Sequence, residues 1–306
     1  MRNSLAKWVG RSQSTMLKRG GAALFPRTFF KQVMAGQKGF GPFCTLSFDC
    51  DFPRDIEVLP QLIKLLEDYG CRASFACIGR WVREFPDEHR ALVAAGHELV
   101  NHTETHPNLF HPDYDYACVK GLSRRRFNQL TPSERREEIE QCHLTFAQIL
   151  DYIPRGFRTP HFGHLHVEDV YPMLRDLGYL FSSSVLASGP VGGVPFKTSA
   201  EVWEFPVSPC PDHPFGVFDS WHSLGKHRGA HRKPGELAGL FAILGEQVER
   251  QGGYVNVYLD PRAAIDSGEL QGMLQYLSNS NIEVLDYGLL VERLKLPVPA
   301  LEKSIE

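Results

Sequence analysis

The chain has 306 residues, 42% of them hydrophobic and 23% charged, with a formal net charge of −3. Such a chain buries one large core or two small ones and is unremarkable for a soluble globular protein. No run of about 18 apolar residues occurs, which excludes an ordinary transmembrane helix. The first twenty residues lack the apolar stretch of a secretory signal peptide, so a cytoplasmic location is expected. The seven cysteines are odd in number and show no C-x-x-C spacing. Several lie in apolar runs, as buried free thiols do rather than members of a disulfide framework.

Residues 1–38 hold eight Lys or Arg and no Asp or Glu, with Trp8, Leu17, Phe25, Phe29 and Phe30 interleaved. One reading is a solvated basic N-terminal extension over 1–42. The other is an arm that makes peripheral contact with an anionic membrane face or a lipid-linked substrate. Nucleic acid is not an expected partner, because the rest of the chain is mildly acidic and has no reader motif.

From residue 43, strand-like runs alternate with helix-like ones. Phe43–Phe48 leads, followed by a helix around Asp55–Tyr69 that stops at Gly70. Arg72–Gly79 is the next strand, Val82–Ala95 the next helix, and His97–His102 a short strand. A polar stretch over roughly 107–131 breaks the rhythm. Helix signals return at Thr131-Pro132-Ser133-Glu134, a capping box with proline at the first helical position. That helix runs to about Asp151, before the strand Gly156–His161. Later strands are expected at Tyr179–Val185, Val202–Val207, Tyr254–Leu259 and Ile282–Leu285, and helices at 167–177, 235–251 and 268–279. Residues 186–235, rich in Gly, Pro and His, read as long loops over one face. Alternation of this kind predicts a parallel α/β fold; seven or eight such units suit a barrel better than an open sheet, a choice periodicity alone does not make. The domain is expected over 43–296 and a tail over 297–306. Ligands in such folds gather at the carboxyl ends of the strands.

Two motifs fall at such ends. In Leu46-Ser47-Phe48-Asp49-Cys50-Asp51, strand alternation points Asp49 and Asp51 the same way. Two carboxylates so placed repel unless a cation or a shared proton compensates. A turn-forming Asp followed by a helix cap is the plainer alternative. In His102-Thr103-Glu104-Thr105-His106 the histidines are four apart and both rings can reach one ion. With 13 histidines in the chain that spacing arises easily by chance. Together the motifs supply one carboxylate and two imidazoles, a donor set for a divalent metal with positions left open for water and substrate. Zn suits it best, and Co, Ni and Fe tolerate it. Asp49 is then placed to take a proton from an attacking water.

With those residues in view, the chain resembles the polysaccharide deacetylases, the NodB-homology carbohydrate esterases. GHELVNHTETHPNL, from Gly96 to Leu109, is similar to that family's second motif, and Ser47–Asp51 to its first. The resemblance implies Asp49 as catalytic base, Asp51, His102 and His106 as metal ligands, and Thr103 as a residue that steadies the site. Gly156–His161 resembles the third motif. It implies Arg158 as the residue holding the base, and puts His161 where a backbone N–H faces the oxyanion. Asp219-Ser220-Trp221 resembles the fourth motif more loosely, with Trp221 walling the substrate pocket. The family implies a single-domain distorted (β/α) barrel of about seven strands and hydrolysis of the N-acetyl group of amino-sugar units in glycans.

One position departs. The family's fifth motif ends a late strand with a histidine that protonates the leaving amine, whereas Tyr254–Leu259 is followed by Asp260. Three readings stay open: Asp260 is the acid, a loop histidine (His161, His164 or His222) replaces it, or turnover has been lost and a carbohydrate-binding protein remains. The donor set does not choose the acyl group, so a formamido sugar or a ureide also fits. A surface polysaccharide or glycolipid precursor is the substrate expected of a cytoplasmic enzyme.

Overall fold

Strand β1 (Phe43–Cys50) is buried along all eight of its residues and organises the molecule. A computed structural model describes residues 15–37, 39–108, 124–187, 193–214, 216–220, 224 and 233–295. The alternation of β1 sorts its side chains by face. Cys44, Leu46, Phe48 and Cys50 join the large apolar core beneath the helices, while Ser47 and Asp49 point into the polar interior of the sheet.

Parallel strands flank β1. On one side lie β2 (Ser74–Cys77), β3 (Glu98–Asn101), β4 (Gly156–Phe157), β5 (Phe181–Ser182) and β7 (Trp203–Glu204); on the other lies β8 (Tyr254–Leu259). Those seven strands form the ring of a distorted (β/α) barrel. β6 (Phe196–Lys197) pairs antiparallel with β7, and β9 (Glu283–Val284) pairs with the first two residues of β1. The sheet curls toward closure beyond β7: Ser208 N–H donates to Asn256 O across 2.8 Å, and Asp219 bridges Tyr258 in parallel.

Helices cover the outside. α1 (Thr15–Leu24) and α2 (Pro26–Met34) precede the barrel. α3 (Pro53–Ile56) and α4 (Leu59–Asp68) join β1 to β2, and α5 (Gly79–Glu84) and α6 (Pro86–Ala94) join β2 to β3. α7 (Pro132–Leu150) starts at the expected capping box: Glu134 N–H donates to Thr131 Oγ1 at 3.3 Å and Thr131 N–H to Glu134 Oε2 at 2.8 Å. α8 (Val170–Asp176), α9 (Glu236–Gln251), α10 (Pro261–Ser267), α11 (Glu269–Ser278) and α12 (Tyr287–Lys295) follow.

The structure corrects several expected boundaries. The helix expected over 55–69 is two helices, with Pro60 in the first turn of the second. The helix expected over 82–95 breaks at Phe85, and Pro86 starts a new one. Proline lacks the N–H an unbroken helix needs and clashes with the preceding turn, but suits a first turn. The strand expected over 156–161 pairs only at Gly156–Phe157, because the chain then turns outward into the site. β6 was not anticipated.

Part of the basic N-terminal stretch is packed rather than solvated. Phe30 and Met34 of α2 are 1% and 0% exposed and belong to the main core, which Leu237, Leu240 and Phe241 of α9 share. Gln37 is buried too: its Oε1 accepts from Tyr254 N–H at 3.1 Å and its Nε2 donates to Gly193 O at 2.6 Å. Among the described residues, no helix is long and apolar enough to cross a membrane. Six cysteines are free thiols, five of them buried; Cys118 lies outside the described residues.

Candidate metal centre

The carboxyl ends of β1 and β3 bring three donors together. Asp51, one residue past β1, holds Oδ1 3.3 Å from His102 Nε2 and 3.4 Å from His106 Nε2. Asp51, His102 and His106 offer ligand atoms that all lie within 4.8 Å of one another. His102 and His106 are fully buried, and their rings stand 4.9 Å apart.

The surroundings fit a metal. Asp51 Oδ1 and His102 Nε2 are buried without a well-formed hydrogen bond, an arrangement that costs free energy unless something else satisfies them. His102 Nδ1 lies 2.8 Å from Arg158 O. A carbonyl can only accept, so the ring proton belongs on Nδ1 and the Nε2 lone pair is left to face an ion. Burial, reinforced by neighbouring histidines, pushes the His106 pKa down to about 3, keeping that ring neutral as a ligand must be. Burial opposes ionisation of Asp51, but His106, His102 and His161 outweigh it and hold the carboxyl below the usual range. Asp51 and Asp49 raise the His102 pKa against the effect of its own burial. Two imidazoles and a carboxylate are donors that zinc and its neighbours accept.

The backbone is strained where these side chains are aimed. Five non-glycine residues in the described chain have positive φ, and Thr103 (68°), His106 (54°) and His161 (50°) are three of them. Such conformations persist where the surroundings impose them, commonly at functional sites. Here Asn101 Oδ1 accepts from Thr103 N–H at 2.9 Å, and Thr103 Oγ1 accepts from His106 N–H at 3.1 Å. Thr103 O accepts from Gly79 N–H at 3.0 Å. A Cβ on Gly79 would come within 2.0 Å of Glu104 Oε2, so a larger residue there would displace that carboxylate. Trp81 Nε1 donates to Asp51 O at 3.0 Å and fixes the ligand's backbone.

Asp49, two residues before Asp51 on β1, is 3% exposed. Arg158 Nη1 donates to Asp49 Oδ1 at 2.5 Å; Nη2 reaches Ser47 Oγ, Ser183 Oγ and the Tyr287 hydroxyl; Nε reaches Ser183 O. Burial raises the Asp49 pKa, and Arg158 and His102 pull it back. The His161 ring lies 5.0 Å from that of His106, tilted by 58°.

Asp260 follows β8 on the far side. Ser220 Oγ donates to its Oδ2 at 2.8 Å and accepts from its N–H at 2.6 Å. Burial, then the charges of Asp55 and Asp51, push the Asp260 pKa well above the carboxylate range. Asp55 is itself raised to about 7 by burial and Asp51. The structure thus brings Asp49, Asp51, His102, His106, Arg158 and His161 together, with Asp260 within electrostatic reach of Asp51. Trp221 and His222 lie outside the described residues. Ser47, Ser183, Tyr287, Ser220, Trp81 and Asp55 carry parts of the site that the sequence reading did not single out; Asp55, just past the Asp49/Asp51 pair, had the clearest local signal.

Comparison with known proteins agrees with this picture. Residues 40–181 match the polysaccharide deacetylase family model. A chitooligosaccharide deacetylase of Sinorhizobium fredii is 38% identical over 68 residues, 22% of this chain and 31% of that one. A peptidoglycan-N-acetylglucosamine deacetylase of Bacillus cereus is 27% identical over 116 residues, 38% of this chain and 35% of that one. The chain therefore spans about a third of the length of these curated relatives. Among solved structures, a polysaccharide deacetylase described as putative from Mycobacterium smegmatis superposes with a TM-score of 0.65 at 16% identity, over 85% of this chain and 96% of that one. That likeness is one of fold. Residues 40–181, a little under half of the chain, thus carry its similarity to the polysaccharide deacetylase family.

Proposed function

We propose that the protein hydrolyses the N-acyl group, in the first instance N-acetyl, of an amino sugar, with a divalent metal held by Asp51, His102 and His106. The observation that carries this reading is the convergence of those three donors at the end of the strand that also carries the Arg158-held Asp49. Zn is the metal proposed. When bound it would polarise the amide carbonyl and lower the pKa of a water to about 7.

In this reading the chain's own residues do the rest. Asp49 takes a proton from the attacking water, and its raised pKa makes it a better base. Arg158 fixes the carboxylate's orientation, so little is lost to reorganisation. The backbone N–H of His161 faces the oxygen on which negative charge develops. Asp260, whose pKa burial and acidic neighbours raise, passes a proton to the leaving nitrogen as the C–N bond breaks. Water and amide give a carboxylic acid and a free amine; Asp49 then gives up its proton to solvent and Asp260 takes one from it, which restores both.

The names of the relatives, a chitooligosaccharide deacetylase and a peptidoglycan deacetylase, support a glycan substrate. We also propose that the substrate is a precursor of a surface polysaccharide or glycolipid. The basic residues of 1–38 would then meet an anionic membrane or the phosphate of a lipid carrier. A panel of N-acetyl and N-formyl amino sugars, free, nucleotide-linked and lipid-linked, assayed for released acetate or formate, tests the proposal. Release from at least one N-acyl sugar is expected; saturable glycan binding with no release from any would favour the binding-protein reading.

A further inference from the structure

The base-holding arginine is anchored from a part of the chain outside the matched residues 40–181. Helix α12 sends Tyr287 into the barrel, where it is 0% exposed. The hydroxyl meets four side chains: Arg158 Nη2 at 2.5 Å, Asn256 Oδ1 at 2.7 Å, Ser183 Oγ at 3.0 Å and Ser47 Oγ at 3.3 Å.

The proton's direction can be worked out. Asn256 Nδ2 donates to Phe205 O at 2.8 Å, to Ser183 Oγ at 3.0 Å and to Pro206 O at 3.2 Å, so the amide oxygen must be the end that faces Tyr287. An amide oxygen only accepts. The phenol therefore spends its single proton on Asn256 and turns its lone pairs to Arg158. A guanidinium with a planar fork cannot rotate once one nitrogen is tied to Asp49 and the other to such an acceptor.

Helix α12 is itself tightly seated at its N-terminus. Tyr287 N–H donates to Ser74 Oγ at 3.2 Å, Gly288 N–H to Glu98 Oε1 at 3.1 Å, and Leu289 N–H to Asp286 Oδ1 at 2.7 Å. A Cβ on Gly288 would come within 2.6 Å of Glu98 Oε1. The phenol is thus delivered from a helix docked on β2 and β3, and β3 runs directly into His102.

We propose that Tyr287 is a positioning residue for the reaction, acting through Arg158 to hold Asp49 in line; this rests on the proposed role of Asp49 as base. The test is a double-mutant cycle on the metal-loaded full chain, with an N-acetylated chitooligosaccharide as substrate and acetate release as the assay. Tyr287→Phe is expected to lower kcat about tenfold, the scale of one buried hydrogen bond to a charged group, with KM changed less than about twofold. Arg158→Lys keeps the charge beside Asp49 but loses the second nitrogen. It is expected to cause a similar loss, and adding Tyr287→Phe to it should cost nothing further, because residues acting as one unit are not additive. A merely structural tyrosine would give an independent loss.

An unchanged kcat in Tyr287→Phe, or a further tenfold loss in the double variant, would overturn the proposal. Full activity in Asp49→Asn would instead bring down the reading of the base beneath it, a result told apart because Tyr287 plays no part in it. Should Tyr287→Phe not fold, Asn256→Ser, which removes the acceptor orienting the phenol's proton, carries the same expectations.

Discussion

Arg158 and Asp49 form a buried ion pair 109 residues apart in sequence, with Nη1 2.5 Å from Oδ1 and Arg158 wholly out of solvent. A pair this enclosed is a costly way to gain stability, because desolvating both charges offsets much of their attraction. Its retention makes sense if the carboxylate must be held ready and in one orientation. Asp49→Asn preserves the shape and removes the base, so kcat should fall about 10²–10⁴-fold with metal content unchanged. Acetate release measured beside metal content by atomic absorption checks this; an active Asp49→Asn would remove Asp49 from the chemistry.

The opposite wall makes a different prediction. Asp260 is held by Ser220, and burial with the charges of Asp55 and Asp51 raises its pKa. As an acid it is expected to lose about 10²–10⁴-fold in kcat on change to Asn. Asp260→His, which installs the residue the family's fifth motif carries there, should retain most of the activity. Should Asp260→Asn match the unmutated protein, the proton comes from elsewhere.

Packing of α2 is tested by stability rather than activity. Phe30 is 1% exposed and packed in the main core, so Phe30→Ala should cost about 3–5 kcal/mol in urea unfolding, the range for a large buried aromatic. A loss below about 0.5 kcal/mol, usual for exposed positions, would mean that this stretch is solvated after all.

Acid should loosen the fold at His97. Burial, then Arg72, pushes its pKa down to about 4, whereas an unfolded histidine titrates near 6.5. Below about 6.5 the unfolded chain takes up the proton that the folded chain refuses, so stability falls as pH drops from about 6.5 to 4. The shift corresponds to roughly 3 kcal/mol, which we discount to about 1–2 for partial solvent screening. His97→Phe should flatten that part of the stability–pH curve, read by urea unfolding at pH 7 and pH 5.

The site was legible in the sequence where its signals are local. Alternation in Phe43–Cys50 put Asp49 on the interior face, the four-residue spacing of His102 and His106 joined them, and Tyr254–Leu259 was readable end to end. The capping box named the start of α7 to the residue. The network around Arg158 had no such signal. Ser47, Ser183, Asn256 and Tyr287 come from four distant elements, and polar residues alternating in a strand read equally well as a solvent face. Proline was the signal underused: Pro60 and Pro86 each open a helix that periodicity alone merges with its predecessor. β4, β5 and β7 are two residues long because the chain leaves the ladder for the site loops almost at once, which apolar pattern cannot show.

The central claim is that Asp51, His102 and His106 hold a metal on which amide hydrolysis depends. The direct measurement is acetate release from an N-acetylated chitooligosaccharide by protein stripped with a chelator, before and after titration with Zn²⁺, alongside His106→Ala treated alike. The account predicts no release from the stripped protein, recovery near one equivalent of Zn²⁺, and no recovery in His106→Ala. Full release from stripped protein, or equal recovery in His106→Ala, would contradict it.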